Sequence, residues 1–413
     1  MMTRLRTRDG AGTTLLISSV LALACGGDVA SESMASVTVD TLPNGTIHVR
    51  NDGTGWSAED AWRPVEVTRI GAVDADDPYL FSAAWSLSLA LDFRGRLYVA
   101  DLQLAEVRLF DADGAFLRTV ATRGEGPGEV SQPVAIAVGP DDELWVVDPR
   151  NRRYSVFDSA GSFVTSHARD VGSFGLYKQA GFGEGGSRWY EEITVSTGGP
   201  RESRHALLRQ PIGDEGLADP DTFVIAPDFD VGSGTFFIDY GDGSAAARPI
   251  PYAPELRFAF AGDGSVWSGT GETYRLVQRA FGGDTLRVVE MPDADAPVDR
   301  ALVDTSMAWL DDLPGNVRDQ VDPARIPAVA PEFDGIRVDD RGDVWVSLGW
   351  RPVGQPSDSA RFDVFAPDGR YRGRVTLPFD PRPWPVVRGD RIAGVVTDEL
   401  DVPQIVVYRL EGR

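Results

Sequence analysis

Cysteine is all but missing: Cys25 is the only one in 413 residues. A fold stapled by internal disulfides is therefore excluded. Lysine is just as scarce, with Lys178 alone, so nearly all positive charge is arginine. The three histidines, His48, His167 and His205, are scattered, and no HExxH motif or histidine–carboxylate cluster supports a zinc site. No GxSxG elbow starts a serine triad. The glycine-rich stretch RGEGPGEV lacks the GK[ST] of a phosphate loop and lies between strand-like segments, where a connector between repeats explains it. The turns DADG and DDRGD resemble fragments of calcium loops but lack the ligand series and terminal glutamate of one, and hairpin turns account for them. Positive charge is also short, with 40 Lys and Arg against 63 Asp and Glu, a net charge of -23. Such a chain repels a phosphate backbone, which removes the usual source of non-specific nucleic-acid binding. What remains is a hydrophobic fraction of 42% with 10 tryptophans, enough for a substantial core.

The first residues differ from the rest. Arg4, Arg6 and Arg8 precede the apolar run LLISSVLALA at 15–24. That run is too short to cross about 30 Å of hydrocarbon, so a signal peptide is expected over 1–24 rather than a transmembrane helix. Cys25 follows directly, in the context ALAC. This start resembles a bacterial lipoprotein signal. The resemblance implies lipidation of Cys25, cleavage before it, and Gly26, rather than aspartate, favouring the outer membrane. The small polar stretch at 26–36 reads as a flexible tether. The expected address is thus the cell envelope, on the periplasmic side of the outer membrane or at the cell surface, with the membrane touched only through the anchor.

The strongest internal signal is a repeat. Tyr98 and Trp145, Phe110 and Phe157, and Gly114 and Gly161 are each 47 residues apart. Each copy runs from a polar turn (DFRG or GPDD) into an alternating strand, LYVAD or LWVVD, then a second strand ending in FD. A DADG or DSAG turn and a third strand follow. Weaker copies carry Trp267 and Trp345 in the same aromatic slot, and a last partial copy spans 389–410. Recurrence in register marks these aromatics as blade packing. Trp145 to Trp267 is 122 residues, room for one more blade with RWYEEITVS at 188–196 as its central strand. Trp267 to Trp345 is 78, room for an insertion, helix-like at 301–317 and bounded at about 298–334. One small sheet cannot bury both faces, but a ring of sheets can, so an all-β, six-bladed β-propeller is expected over 61–413. The lone strand PVEVTRIG at 64–71 completes the last blade and closes the ring. The segment 37–60 begins with an Asn-Gly hairpin outside it.

The segments LYVAD, LWVVD, the FD pairs and RGEGPGEVSQP resemble those of NHL-type and related six-bladed propellers, including bacterial lipoproteins. The resemblance implies the fold and no one activity, since that scaffold hosts binding modules, lactonases and lyases.

In such a ring the connectors between blades and the loops from second to third strand share one face, and the long irregular segments fall there. Candidate ligand-binding residues on it are Asp101, Asp148, Arg150, Arg152, Glu191, Glu192, Glu272, Trp350, Arg351 and Asp398. Carboxylates there suit Ca²⁺ or acid–base work, and Arg and Trp suit an anionic or sugar-like ligand. The competing reading has Asp101 and Asp148 holding blade corners through loop amides. Glu191 and Glu192 are neighbours on a strand, so at most one faces the channel. Three functions stand open: a binding module for a small molecule, glycan or envelope protein; a calcium-assisted hydrolase, lactonase or lyase; and a structural envelope component.

Overall fold

The computed structural model describes residues 37–413 apart from 73–76, 172–178, 197–202, 214–215, 226–230, 242, 351–358 and 381–383. Cys25, the signal, the tether and Arg351 lie outside the described residues.

Turns of Asp, Gly and neighbouring polar residues cut the chain into short strands, which pair antiparallel into six sheets arranged as propeller blades. Blade 1 runs through Leu87–Leu91, Leu97–Asp101, Glu106–Phe110 and Phe116–Ala121. Blade 2 follows with the same spacing, from Ala135–Val138 to Phe163–Ala168. The central strand of blade 3 is Arg188–Ser196, on the segment expected from the sequence. Blade 4 starts at Arg257–Phe260 and blade 5 at Gly335–Val338. Blade 6 comprises Val386–Arg388, Arg391–Thr397, Pro403–Glu411 and, as its outer strand, Arg63–Ile70 from the other end of the chain. That last pairing, with Ile405 opposite Ile70 and Glu411 opposite Arg63, closes the ring as expected. The hairpin Thr38–Thr41 and Ile47–Arg50 adds to blade 4, where Ile47–Arg50 runs parallel to the outer strand Thr285–Glu290.

Because the blades are packed on both faces, their second strands are largely buried, along the whole length in LYVAD and LWVVD. Tyr98, Trp145, Trp189, Trp267 and Trp345 each take the second position of a second strand, and all are buried. Six apolar clusters fill the seams between successive blades, including the closing seam where Leu89 and Val99 meet Val395 and Ile405. Burial of this apolar surface, at roughly 25 cal/mol per Å², is the main stabilising term of the ring.

The described chain departs from the bare repeat in two successive connectors. The helical insertion is present, with Arg300–Met307 capped by Asp299 and a second short helix at Gly315–Arg318. A hairpin, Thr235–Asp239 with Ala245–Pro249, lies between blades 3 and 4 and was not anticipated from the sequence. The two insertions share a core of Phe236, Ile238, Ile250, Ala253, Val317 and Val321. Gln320 and the Asp239 backbone exchange two hydrogen bonds of 2.9 and 2.8 Å across it. Together they form a cap on the face of the inter-blade connectors.

Candidate functional site: the central channel and its waist

First strands line the channel of a propeller, so the side chains that can reach it come mostly from six short segments. The channel holds two cavities. The one under the cap, about 430 Å³, is bounded by Gly234, Thr235 and Pro254 of the cap side and by Glu192, Arg257 and Asp334. The other, about 570 Å³, opens toward the face of the hairpin turns and reaches Phe93 and Arg388. Gln179, Arg337 and Trp384 line both cavities and form the waist between them.

Arg337 reaches the waist from an unusual place. In blades 1, 2 and 4 the first-strand residue opposite the large aromatic is alanine: Ala90 opposite Tyr98, Ala137 opposite Trp145, Ala259 opposite Trp267. In blade 5 that position, opposite Trp345, is Arg337. Its guanidinium lies 4.7 Å from the centre of the Trp384 ring, a cation–π contact. The indole fits over Gly335, where even a Cβ would collide with it. Nη1 of Arg337 donates to the Ile336 carbonyl at 2.8 Å. Burial within the channel wall pushes the Arg337 pKa down to about 10, with Glu192 favouring the charge and Arg257 opposing it. The group therefore stays cationic at neutral pH. Gln179 fixes the neighbouring wall, its side chain donating to the Phe258 carbonyl at 2.6 Å and its backbone to Glu192 at 3.3 Å.

At the hairpin-turn face, Arg388 Nη1 donates to the carbonyls of Leu91 at 2.9 Å and Val138 at 3.4 Å. Its guanidinium lies 3.8 Å from the Phe93 ring centre. This arginine ties the first strands of blades 1, 2 and 6 together.

The residues singled out from the sequence are spread over several environments. Asp101 is buried and accepts from the backbone of Ser82, Gln103 and Leu104, and from the Ser82 hydroxyl. Asp148, 47 residues on, accepts from the backbone of Ser131, Gln132 and Asn151 and from the Asn151 amide. Both carboxylates are thus taken up by blade-corner groups. Arg150 and Glu272 are exposed. Arg152 pairs with Asp170 at 2.7 Å on the surface. Asp398 accepts from the backbone of Leu400 and Val402 in its own turn. The Trp350 ring packs against Tyr252, tilted by 35° with centres 4.2 Å apart, in the apolar core of the cap.

Glu191 and Glu192 split as adjacent strand positions must. Glu191 turns into the seam between blades 2 and 3, where it accepts from Tyr154 at 2.6 Å and pairs with Arg169. Glu192 lines the cap-side cavity. Among the described residues it is the one member of the sequence-derived set that lines the channel cavities. Gln179, Arg257, Arg337 and Trp384 were not among them. The signal for Arg337 was legible, as a charged residue where blades 1, 2 and 4 carry alanine and blade 3 carries Phe182. Among the described residues no group of three or more His, Cys, Asp or Glu side chains is arranged to hold a metal ion.

In sequence, the family DUF5128, described as a 6-bladed beta-propeller, matches residues 85–177. No curated protein matches the chain. A solved member of the DUF4221 family from Bacteroides vulgatus is 11% identical, covers 85% of this chain and 98% of its own, and superposes with a TM-score of 0.50. Virginiamycin B lyase from Staphylococcus aureus is 9% identical, with 84% of this chain and 99% of the other covered and a TM-score of 0.40. At these identities the likeness is one of fold: the chain is a six-bladed β-propeller.

Proposed function

We propose that this propeller is a binding module of the cell envelope, lipid-anchored through Cys25, that holds a small ligand in the cap-side cavity of its channel. The observation that carries the reading is the waist: a cationic side chain placed on a first strand, opposite an aromatic where blades 1, 2 and 4 have alanine and blade 3 has Phe182, and lining a cavity of ligand size. A packing role alone is served by apolar residues, as Ala90, Ala137, Ala259 and Phe182 show. The cap supports the same reading, since it walls the cavity with residues that the ring itself does not need.

A calcium-assisted hydrolase would need several carboxylates converging in the channel. Asp101 and Asp148 are occupied by loop amides, and the carboxylates that line the cap-side cavity, Glu192, Glu255 and Asp334, form no group arranged to hold a metal ion among the described residues.

Filling the cavity tests the proposal. Gly234 has ordinary backbone geometry, and a Cβ there would make only normal contacts of 3.6 Å and more. Gly234→Trp should therefore fold and block the cavity. In a thermal-shift screen of small metabolites and saccharides, ligands that raise the melting temperature of the wild type should lose that effect in the variant. Shifts that persist in Gly234→Trp would contradict the cap-side site. Incorporation of labelled palmitate by the wild type and not by Cys25→Ser tests the anchor.

A further inference from the structure

The ligand class follows from how the waist arginine is held. Arg337 makes no ion pair among the described residues, and its one hydrogen bond there goes to the Ile336 carbonyl of its own strand. Other arginines of the ring, such as Arg153 and Arg388, carry a nitrogen that is sealed from solvent and unpartnered, whereas Arg337 does not. The residue lines the cavities on either side. The guanidinium is also fixed in plane. Trp384 supports one face, and the indole is seated only because residue 335 lacks a side chain. A planar fork, pre-oriented and without a carboxylate of its own, is the arrangement that binds a carboxylate through two parallel hydrogen bonds.

The surroundings narrow the class further. Glu192, Glu255 and Asp334 sit on the wall of the same cap-side cavity with Arg257, which pairs with Glu255 at 2.8 Å, so carboxylates outnumber the wall's other cation, and the chain carries a net charge of -23. A second negative charge on the ligand would meet like charge on entry. We propose that the waist is a carboxylate subsite, in which Arg337, held flat by Trp384, takes the acid group of a small monocarboxylate whose neutral body lies in the adjoining cavity. This rests on the binding reading given above and adds the chemistry of the ligand. Arg337 is the recognition residue, and Gly335 and Trp384 are positioning residues.

Matched probes test it. Isothermal titration of the full protein with benzoate and with benzamide, which share a shape and differ in charge, should show benzoate binding about tenfold or more tighter, as expected for hydrogen bonds to a charged partner. Arg337→Gln should erase the difference, and Arg337→Lys should restore part of it. Gly335→Ala, or Trp384→Phe should the former not fold, should weaken the preference while keeping the charge. Inorganic phosphate should bind more weakly than benzoate. Equal affinity for the two probes, or a preference that survives in Arg337→Gln, would overturn the inference. Its failure is separable from that of the cap-side reading. Ligands blocked by Gly234→Trp but indifferent to charge would leave the cavity and remove the subsite. A carboxylate preference that depends on Arg337 but not on residue 234 would keep the subsite and move the ligand to the other cavity.

Discussion

Glu191 and Glu192 are neighbours in the chain, yet they belong to two regions built on opposite terms. Glu191 belongs to a seam that is closed. Burial disfavours the Arg169 charge, but the Glu191 carboxylate outweighs it and holds the guanidinium above its ordinary pKa. The Tyr154 phenol is pushed far up by burial and by the same carboxylate, so it remains a donor at any working pH. The seam between blades 4 and 5 repeats the device. There Asp363 accepts from Tyr274 at 2.8 Å, Tyr371 at 2.9 Å and Arg374 at 2.8 Å. Glu192 lines the cap-side cavity beside the waist, where burial lowers the Arg337 pKa rather than raising it and no described carboxylate pairs with that guanidinium. Where a guanidinium is meant to hold blades together, this protein surrounds it with acceptors. Where it lines a cavity without such a partner, it is available to something else.

The comparison can be broken most forcefully at the seam. Glu191→Ala strands Arg169 and the Tyr154 hydroxyl in a dry seam, and loss of one member of a buried pair costs about 3–5 kcal/mol. Urea unfolding should show a large fall in midpoint, and a change below 1 kcal/mol, on the order of a surface pair, would show that the seam is not closed in this sense. Asp148→Ala should follow, at about 2–3 kcal/mol, because the backbone groups of Ser131 and Gln132 lose a buried acceptor. Its equivalent Asp101→Ala should behave alike, measured in the same way.

A smaller effect depends on pH. The hydrogen bond from Arg69 lowers the pKa of Glu66 below 4.5; burial acts against it, and the Tyr408 hydroxyl adds to the lowering. A depressed folded pKa means stability that is present above the unfolded value and lost as pH falls through the folded one. The pair is partly exposed, with solvent screening, so Glu66→Gln should cost less than about 1 kcal/mol at pH 7. That difference from wild type should shrink as the pH falls below 4.5 and vanish once it is below the folded value, where the wild-type carboxylate is protonated. A gap that stays constant down to pH 3, as defined by the unfolding midpoint, would assign the loss to packing instead.

The ring was legible because its grammar is local. An offset of 47 residues between Tyr98 and Trp145 carries a whole blade, and a lone strand before the first blade is explained only by closure against the last. Hairpin 235–249 was not legible. Its strands, TFFID and AAARP, lie in the stretch where the repeat is weakest, and the second is exposed and apolar in composition without alternation. Trp350 looked like a loop residue on offer to a ligand, because nothing nearby in sequence announces Tyr252, its partner almost a hundred positions earlier. For Asp101 and Asp148 the sequence favours the blade-corner reading without deciding it, since a carboxylate that caps loop amides and one that binds a ligand look alike until their partners are seen. The waist mixes the two cases. Arg337 could be read as a departure from alanine in an aligned position, but Trp384 over Gly335 is a contact between blades that no local pattern contains.

The most direct test of the contrast is the urea-unfolding midpoint of Arg337→Gln, without ligand, beside wild type and Glu191→Ala. An unsealed guanidinium with one backbone acceptor contributes little to the fold, so Arg337→Gln should unfold at or above the wild-type midpoint while Glu191→Ala falls well below it. A fall in Arg337→Gln comparable to that of Glu191→Ala would make Arg337 another of the ring's structural charges and contradict the account of the waist.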